Sequence, residues 1–139
     1  MSPCPDPSDF LRNLPLFREL GDDELGRIAA ATGQVRAPAG TILFRRGDQP
    51  TGFHVVVYGQ VKLSLGTADG AEKVIEVIGP GMSFGEAVML LEKPYLVTAE
   101  TLADALLLTV GKHAVLGELD RNPAMARRML AGLSMRLPR

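Results

Sequence analysis

The chain has one cysteine, two histidines, almost no net charge and no long apolar run, and each shortage removes a class of protein. A single cysteine, Cys4, can form neither an internal disulfide nor a four-cysteine iron–sulfur cluster. Set among Pro3, Pro5 and Pro7, it reads as an exposed thiol on a frayed end, not as a sensor. His54 and His113 are too few for the clustered imidazoles of a cupin-like metal enzyme, and they show neither His-x-His nor His-Glu-x-x-His spacing. Each is expected as a surface or capping side chain. No Ser-His-Asp or Cys-His arrangement is available either, so the chain is not expected to be an enzyme. A formal net charge of −1 supplies no basic nucleic-acid surface. No apolar stretch is long enough to span a bilayer. The N-terminus has neither the basic start nor the apolar core of a signal peptide. A cytoplasmic protein without membrane contact is the default expectation.

What is present fits one globular domain. The 139 residues are 46 % hydrophobic and 22 % charged, enough to bury a core. Three zones follow one another. Residues 1–33 read as a helical segment: Ser8 can cap a short helix carrying Phe10, Leu11 and Leu14, which Pro15 interrupts. Asp22 can cap a second, with Leu25, Ile28 and Ala29 on one face and Gly33 as its stop. Residues 34–111 read as a β-roll core of short apolar runs separated by turns. Thr41 to Phe44 precedes Gly47-Asp48, and Phe53 to Tyr58 stops at Gly59. Val61, Leu63 and Leu65 alternate with Lys62 and Ser64, as in a half-buried strand. Asp69-Gly70 signals a hairpin. Val74 to Ile78, Tyr95 to Leu102 and Ala105 to Val110 complete the strands. Residues 112–139 return to helix, with Asn122 as a cap and Pro123 at the first helical position. Ala126, Leu130, Leu133 and Leu137 then recur at coiled-coil spacing. The order points to a mainly β fold with flanking helices, a sandwich, barrel or jelly roll.

Specific residues carry the reading further. Leu14-Pro15-Leu16-Phe17, Gly40 to Asp48, Tyr58-Gly59-Gln60-Val61-Lys62, Gly79 to Glu86 and Leu133 to Leu137 occur in the order of the Crp/Fnr regulators. The chain resembles the effector domain of that family over nearly its whole length. The resemblance implies a double-stranded β-helix, the jelly-roll-like cyclic-nucleotide-binding fold, followed by the start of a dimerisation helix. Glu72 to Val77, Phe84 to Ala87 and Tyr95 to Ala99 are most similar to the nitric-oxide-responsive regulators of dissimilative nitrate respiration. That subgroup is described as haem-dependent.

In cyclic-nucleotide-binding members a short helix follows the Phe-Gly-Glu segment, and its first amides face the ligand phosphate. Unpaired N–H groups and the helix dipole favour an anion there. On this pattern Gly85 and Ala87 would approach the phosphate, and Glu86 would accept from a ribose hydroxyl. The family then places an arginine and a small hydroxyl residue, where this chain has Tyr95 and Leu96. Lys93, before Pro94, does not reproduce the arginine fork. Removing a buried phosphate partner costs on the order of 3–5 kcal/mol, so cyclic nucleotide is disfavoured as effector. Tyr95-Leu96-Val97, with Val88 to Leu91, make the region more apolar, which suits a hydrophobic effector, haem included. The plainer alternative is that these residues complete the core, with Gly85 a structural turn and Glu86 a solvated or capping carboxylate.

The seam Ala126, Leu130, Leu133 and Leu137 either packs on its own domain or pairs with a second subunit, and the resemblance implies a homodimer. Met125, Met129 and Met135 widen it in either case. Family members continue into a helix-turn-helix domain, whereas this chain stops at Pro138-Arg139. A truncated sensor is expected, meeting DNA only through a domain absent here. The remaining alternative is an interaction or regulatory module unattached to any DNA-binding domain.

Overall fold

A computed structural model describes residues 7–127 of the chain. Cys4, Leu130, Leu133 and Leu137 lie outside them. Helix α1 (Pro7–Leu11) and a tight turn at Pro15–Phe17 lead to α2 (Asp22–Ala30). The helix starts differ slightly from expectation. α1 already includes Pro7, and Asp22 is the first residue of α2 rather than its cap. Gly21 holds the cap position, its amide donating to Glu24 Oε1 at 3.0 Å. Gly33 does not stop the helix. It lies inside β1 (Thr32–Ala37), opposite Thr109. Then follow β2 (Ile42–Phe44), β3 (Gly52–Tyr58), β4 (Val61–Gly66), β5 (Glu72–Ile78) and β6 (Ser83–Phe84). Helix α3 (Glu86–Leu91), β7 (Thr98–Thr101), β8 (Ala105–Gly111) and α4 (Lys112–Arg121) complete the order, and a helical turn begins at Pro123.

The strands form two four-stranded antiparallel sheets, β1-β8-β3-β6 and β2-β7-β4-β5. This is the expected jelly-roll-like arrangement, open rather than closed into a barrel. Tyr95–Val97, read from sequence as strand, is loop. The Tyr95 amide donates to Asp48 O and its carbonyl accepts from the Gly47 amide, so the segment is tied to a turn instead of a neighbouring strand.

Period-two alternation divides the core. Phe53 and Val55 of β3 join Leu108 and Val110 of β8 in one apolar cluster with Leu11, Leu14, Phe17, Leu25, Ile28, Met89, Val115 and Met125. Val56 and Leu107 point the other way, into a second cluster between the sheets with Phe44, Val61, Ile78, Phe84, Tyr95 and Ala99. Helices therefore cover one face of the β3–β8 pair, and the second sheet covers the other.

This two-sided cover corrects the reading of His54. It lies on the inner face of β3, opposite Phe84, and is not a surface or capping group. Its ring stacks on Phe44 (centroids 5.9 Å apart) and tilts against Phe84 (5.1 Å), while Nδ1 meets Thr109 Oγ1 at 3.3 Å. Burial lowers its pKa to about 4. His113, on the first turn of α4, is exposed as expected. No described helix is long and apolar enough to cross a membrane.

A Cβ added at Gly52 would lie 2.1 Å from the Val110 carbonyl oxygen, whereas one at Gly33 meets nothing within 4 Å. Gly52→Ala should destabilise by about 3 kcal/mol and Gly33→Ala should change stability by less than about 0.5 kcal/mol, read from urea midpoints. His54 binds no proton in the folded protein until the pH nears 4, but binds one near 6.5 when unfolded. The stability tied to its neutral burial is full above pH 6.5 and falls as pH drops from 6.5 towards 4, by a few kcal/mol at most. His54→Leu should flatten that part of the stability–pH curve; an unchanged slope would remove His54 as its source.

Candidate functional site

The region singled out from sequence is built where β6 hands the chain to α3. Gly85 makes that corner at φ +90°, a conformation that L side chains rarely adopt. Its carbonyl accepts from the Met89 amide at 3.2 Å and opens the helix. A Cβ there would sit 3.6 Å from Tyr95 Cε1 and 3.8 Å from Phe53 Cβ, so the glycine lies directly against the tyrosine ring.

Glu86 is buried and accepts a hydrogen bond from Ser83 Oγ, three residues earlier. It is not the solvated carboxylate of the plainer alternative. Ser83 was not singled out from sequence, although a hydroxyl three residues before a helix-initiating glutamate is the signal that could have marked it. Ala87 is exposed. Along α3, Met89 is fully buried in the helix-side cluster, Val88 and Leu90 are half-buried, and Leu91 is exposed.

Tyr95 and Leu96 part company. Tyr95 is buried, with its ring parallel to Phe44 (centroids 3.5 Å apart, planes 5° apart). Its phenol donates to Gly52 O at 3.3 Å. Burial, with the Asp48 carboxylate nearby, pushes the phenol pKa up to about 12, so the hydroxyl stays a donor. Leu96 points outward and is 67 % exposed. The structure thus joins Gly85 to Tyr95 and Glu86 to Ser83, while Ala87 and Leu96 face away. Phe44 and His54 complete the aromatic lining. Both were legible as apolar-strand residues, but nothing in the sequence pairs either of them with Tyr95.

An aromatic stack thus stands against Gly85. Lys93 is exposed on the loop, its amide bonded to Val88 O. Arg45 and Arg46 are exposed on the turn to which Tyr95 is tied. Their amides are held by Asp48 Oδ2 at 2.9 Å and Thr98 Oγ1 at 3.2 Å. Neither histidine suits haem iron. His54 is half-buried between Phe44 and Phe84 with its Nδ1 engaged by Thr109, and His113 belongs to neither apolar cluster. Among the described residues no group of three or more His, Cys, Asp or Glu could hold a metal ion. A shallow cavity of about 210 Å³ lies elsewhere, lined by Arg36, Ala37, Pro38, Tyr58, Asp104 and Ala105.

Comparison with known proteins matches residues 34–122 to the cyclic nucleotide-binding domain family. The Cyclic AMP receptor protein of Thermus thermophilus is 28 % identical over 127 residues, covering 91 % of this chain and 59 % of that protein. The chain thus spans under two thirds of that relative. The sensor domain of the transcriptional regulator DNR from Pseudomonas aeruginosa superposes with a TM-score of 0.82 at 30 % identity, covering 94 % of this chain and 87 % of that one. The N-terminal domain of a transcriptional regulator from Streptomyces coelicolor superposes with a TM-score of 0.79 at 31 % identity, covering 92 % and 90 %. With the two sheets in place and Gly85 leading into α3, a stretch here called the cassette, the chain belongs to the cyclic nucleotide-binding domain family, as an effector domain of the Crp/Fnr type.

Proposed function

We propose that this chain is the effector-sensing and dimerisation domain of a Crp/Fnr-type transcription regulator whose cassette does not use the cyclic-nucleotide phosphate contact. The observation that carries this reading is the Tyr95 ring, buried against Gly85 and stacked on Phe44. An arginine would bring charge and a planar fork to a phosphate. Tyr95 brings an aromatic face and a phenol already committed to Gly52. The effector this lining favours is a small apolar molecule. A haem-dependent nitric oxide sensor, suggested by the likeness to the DNR sensor domain, has less support because neither histidine is presented as an iron ligand.

The proposed division of labour is a helical segment over 1–33, the effector core over 34–111 and the C-terminal helices over 112–139. The start of that division moves by two residues, since β1 begins at Thr32. Met125 is fully buried in the domain's own helix-side cluster, while Ala126 beside it is only half-buried. This supports a seam through Ala126, Leu130, Leu133 and Leu137 that faces a second subunit. DNA would be met only through a further domain, and a change in the roll would be passed to it across the dimer. In this role the chain senses and does not catalyse.

A ligand at 100 times its dissociation constant adds about 2.7 kcal/mol, several degrees in midpoint. Saturating cAMP or cGMP should leave the thermal midpoint of the wild-type chain unmoved. A clear shift would overturn the cassette reading and point to Arg45 or Arg46 as the substitute cation. Haemin should likewise give neither a shift nor a defined absorption band. Tyr95→Phe, which loses only the bond to Gly52, should cost about 1 kcal/mol of stability, and Tyr95→Ala about 3–5 kcal/mol in urea titrations. A mild Tyr95→Ala would show that the stack is not a core element. Leu130→Glu with Leu133→Glu should elute as monomer from a sizing column on which the wild type runs as dimer. A dimer retained in that variant would remove the seam.

A further inference from the structure

Helix α2 lies before the matched region, and Asn122 is its last residue. Two side-chain pairs join them. Glu24 Oε2 accepts from Asn122 Nδ2, while its Oε1 accepts from the Gly21 amide. One turn along, Arg27 Nε donates to Glu118 Oε2 at 2.7 Å, with Arg121 a further 3.7 Å neighbour. Glu24 and Arg27 are three apart on α2, and Glu118 and Asn122 are four apart on the chain they face. These spacings place each pair on one side of its helix. The result is a ladder of two rungs between the helices.

The ladder sits at an unusual spot. Both carboxylates are nearly buried, Glu24 at 6 % and Glu118 at 5 % exposed, and a buried carboxylate is held only with its partners in place. The hydrogen bond from Arg27 keeps the Glu118 carboxyl below its usual range, against burial and the like charge of Glu24. Asn122 is also where α4 ends. Its backbone, at φ −139° and ψ 89°, leaves the helical region after its amide bonds Glu118 O. Its carbonyl then accepts from the Met125 amide at 3.0 Å in the next helical turn. One rung therefore grips the residue at which the chain changes direction, and the other grips the turn before it. Beneath them Leu25, Ile28, Val115 and Met125 form apolar cover without directional preference.

We infer that Glu24–Asn122 and Arg27–Glu118 form a latch through which α2 sets the direction of the helix leaving α4, so that opening the latch frees residues 123–127 while the sheets stay intact. The apolar contacts alone allow that helix to slide and rotate; the two polar rungs choose one direction. The N-terminal segment is then a control element for the C-terminal one, and not just a cover for β3 and β8.

The test uses the 139-residue chain, with amide hydrogen exchange followed by NMR. Arg27→Met with Glu118→Met removes the two charges of that rung together; Asn122→Ala cuts the other rung and leaves Glu24 with the Gly21 amide. Combined, they should speed exchange at the amides of 122 and 125, the two bonded across the junction, about tenfold while those of 53–56 and 107–110 keep their protection. In parallel, nitroxides at Ala71→Cys and Arg127→Cys, on a Cys4→Ser background, should show a displaced or broadened distance when the rungs are cut. An unchanged distance with unchanged exchange overturns the latch. So does a uniform rise in exchange across sheets and helix, which would make the rungs a general stability contact. Should the charge-pair variant not fold, Asn122→Ala alone decides, since its local loss of protection is expected and a uniform or absent change is not.

Discussion

Everything in this domain leans on a strand pair that is covered on both faces. β3 and β8 run side by side in the middle of one sheet, with helices packed on one side and the second sheet on the other. A strand covered on one face alternates apolar and polar residues, whereas one covered on both is apolar throughout. Phe53 to Val57 and Ala105 to Leu108 have that continuous character. The single polar break, His54, is tolerated because its ring is neutral, lies among aromatics and finds one hydroxyl partner. The same constraint explains Gly52. Where the two strands pair most closely, the Val110 carbonyl occupies the place of a side chain.

Tyr95 belongs to that inner face. Phe44, His54, Phe84 and Tyr95 make a contiguous aromatic layer between the sheets. An arginine in place of Tyr95 would bring an unpaired cation into this layer, a costly arrangement unless an anion came with it. Tyr95 avoids that cost by adding apolar area and a donor that reaches Gly52. Gly85 and Glu86, the positions that match the family's pattern in sequence, each have a structural role here. Gly85 turns β6 into α3, and Glu86 closes on Ser83. Retention of Gly85 and Glu86 therefore does not by itself argue for a nucleotide.

The order of elements was legible because each leaves a local mark. Pro123 opens a helical turn and Gly59 ends β3 as read, and the Asp69-Gly70 turn joins β4 to β5. What escaped notice depended on partners distant in sequence. Gly33 looks like a helix stop until β8 offers it a pairing strand. Tyr95–Val97 looks like strand until the Gly47-Asp48 turn takes up the Tyr95 backbone. His54 looks like a polar strand end until both faces of β3 are seen to be covered. Within the candidate site, Gly85 and Glu86 could be found from their neighbours in the chain. The opposite fates of Tyr95 and Leu96 could not, because adjacent residues in a loop carry no fixed alternation to say which turns inward.

Contacts also join α3 to the C-terminal helices. Met89 of α3 is fully buried in the cluster that holds Val115 of α4 and Met125 beyond it. At the end of α3, Glu92 takes a left-handed conformation, φ 54°, and its carboxylate lies 3.7 Å from Lys112 Nζ at the start of α4. A shift of α3 caused by an occupant near Tyr95 would therefore press on α4 at two places, one apolar and one charged. Close-packed contacts transmit such displacements instead of absorbing them. Coupling also requires an element with two arrangements. The junction at Asn122 is suited to that role, because it is non-helical between two helical segments and held by a side-chain bond to Glu24 together with one backbone bond on each side. On the proposed reading the cassette would supply the push, the core around Met89 and Met125 would carry it, and the junction is where it would become a change of direction.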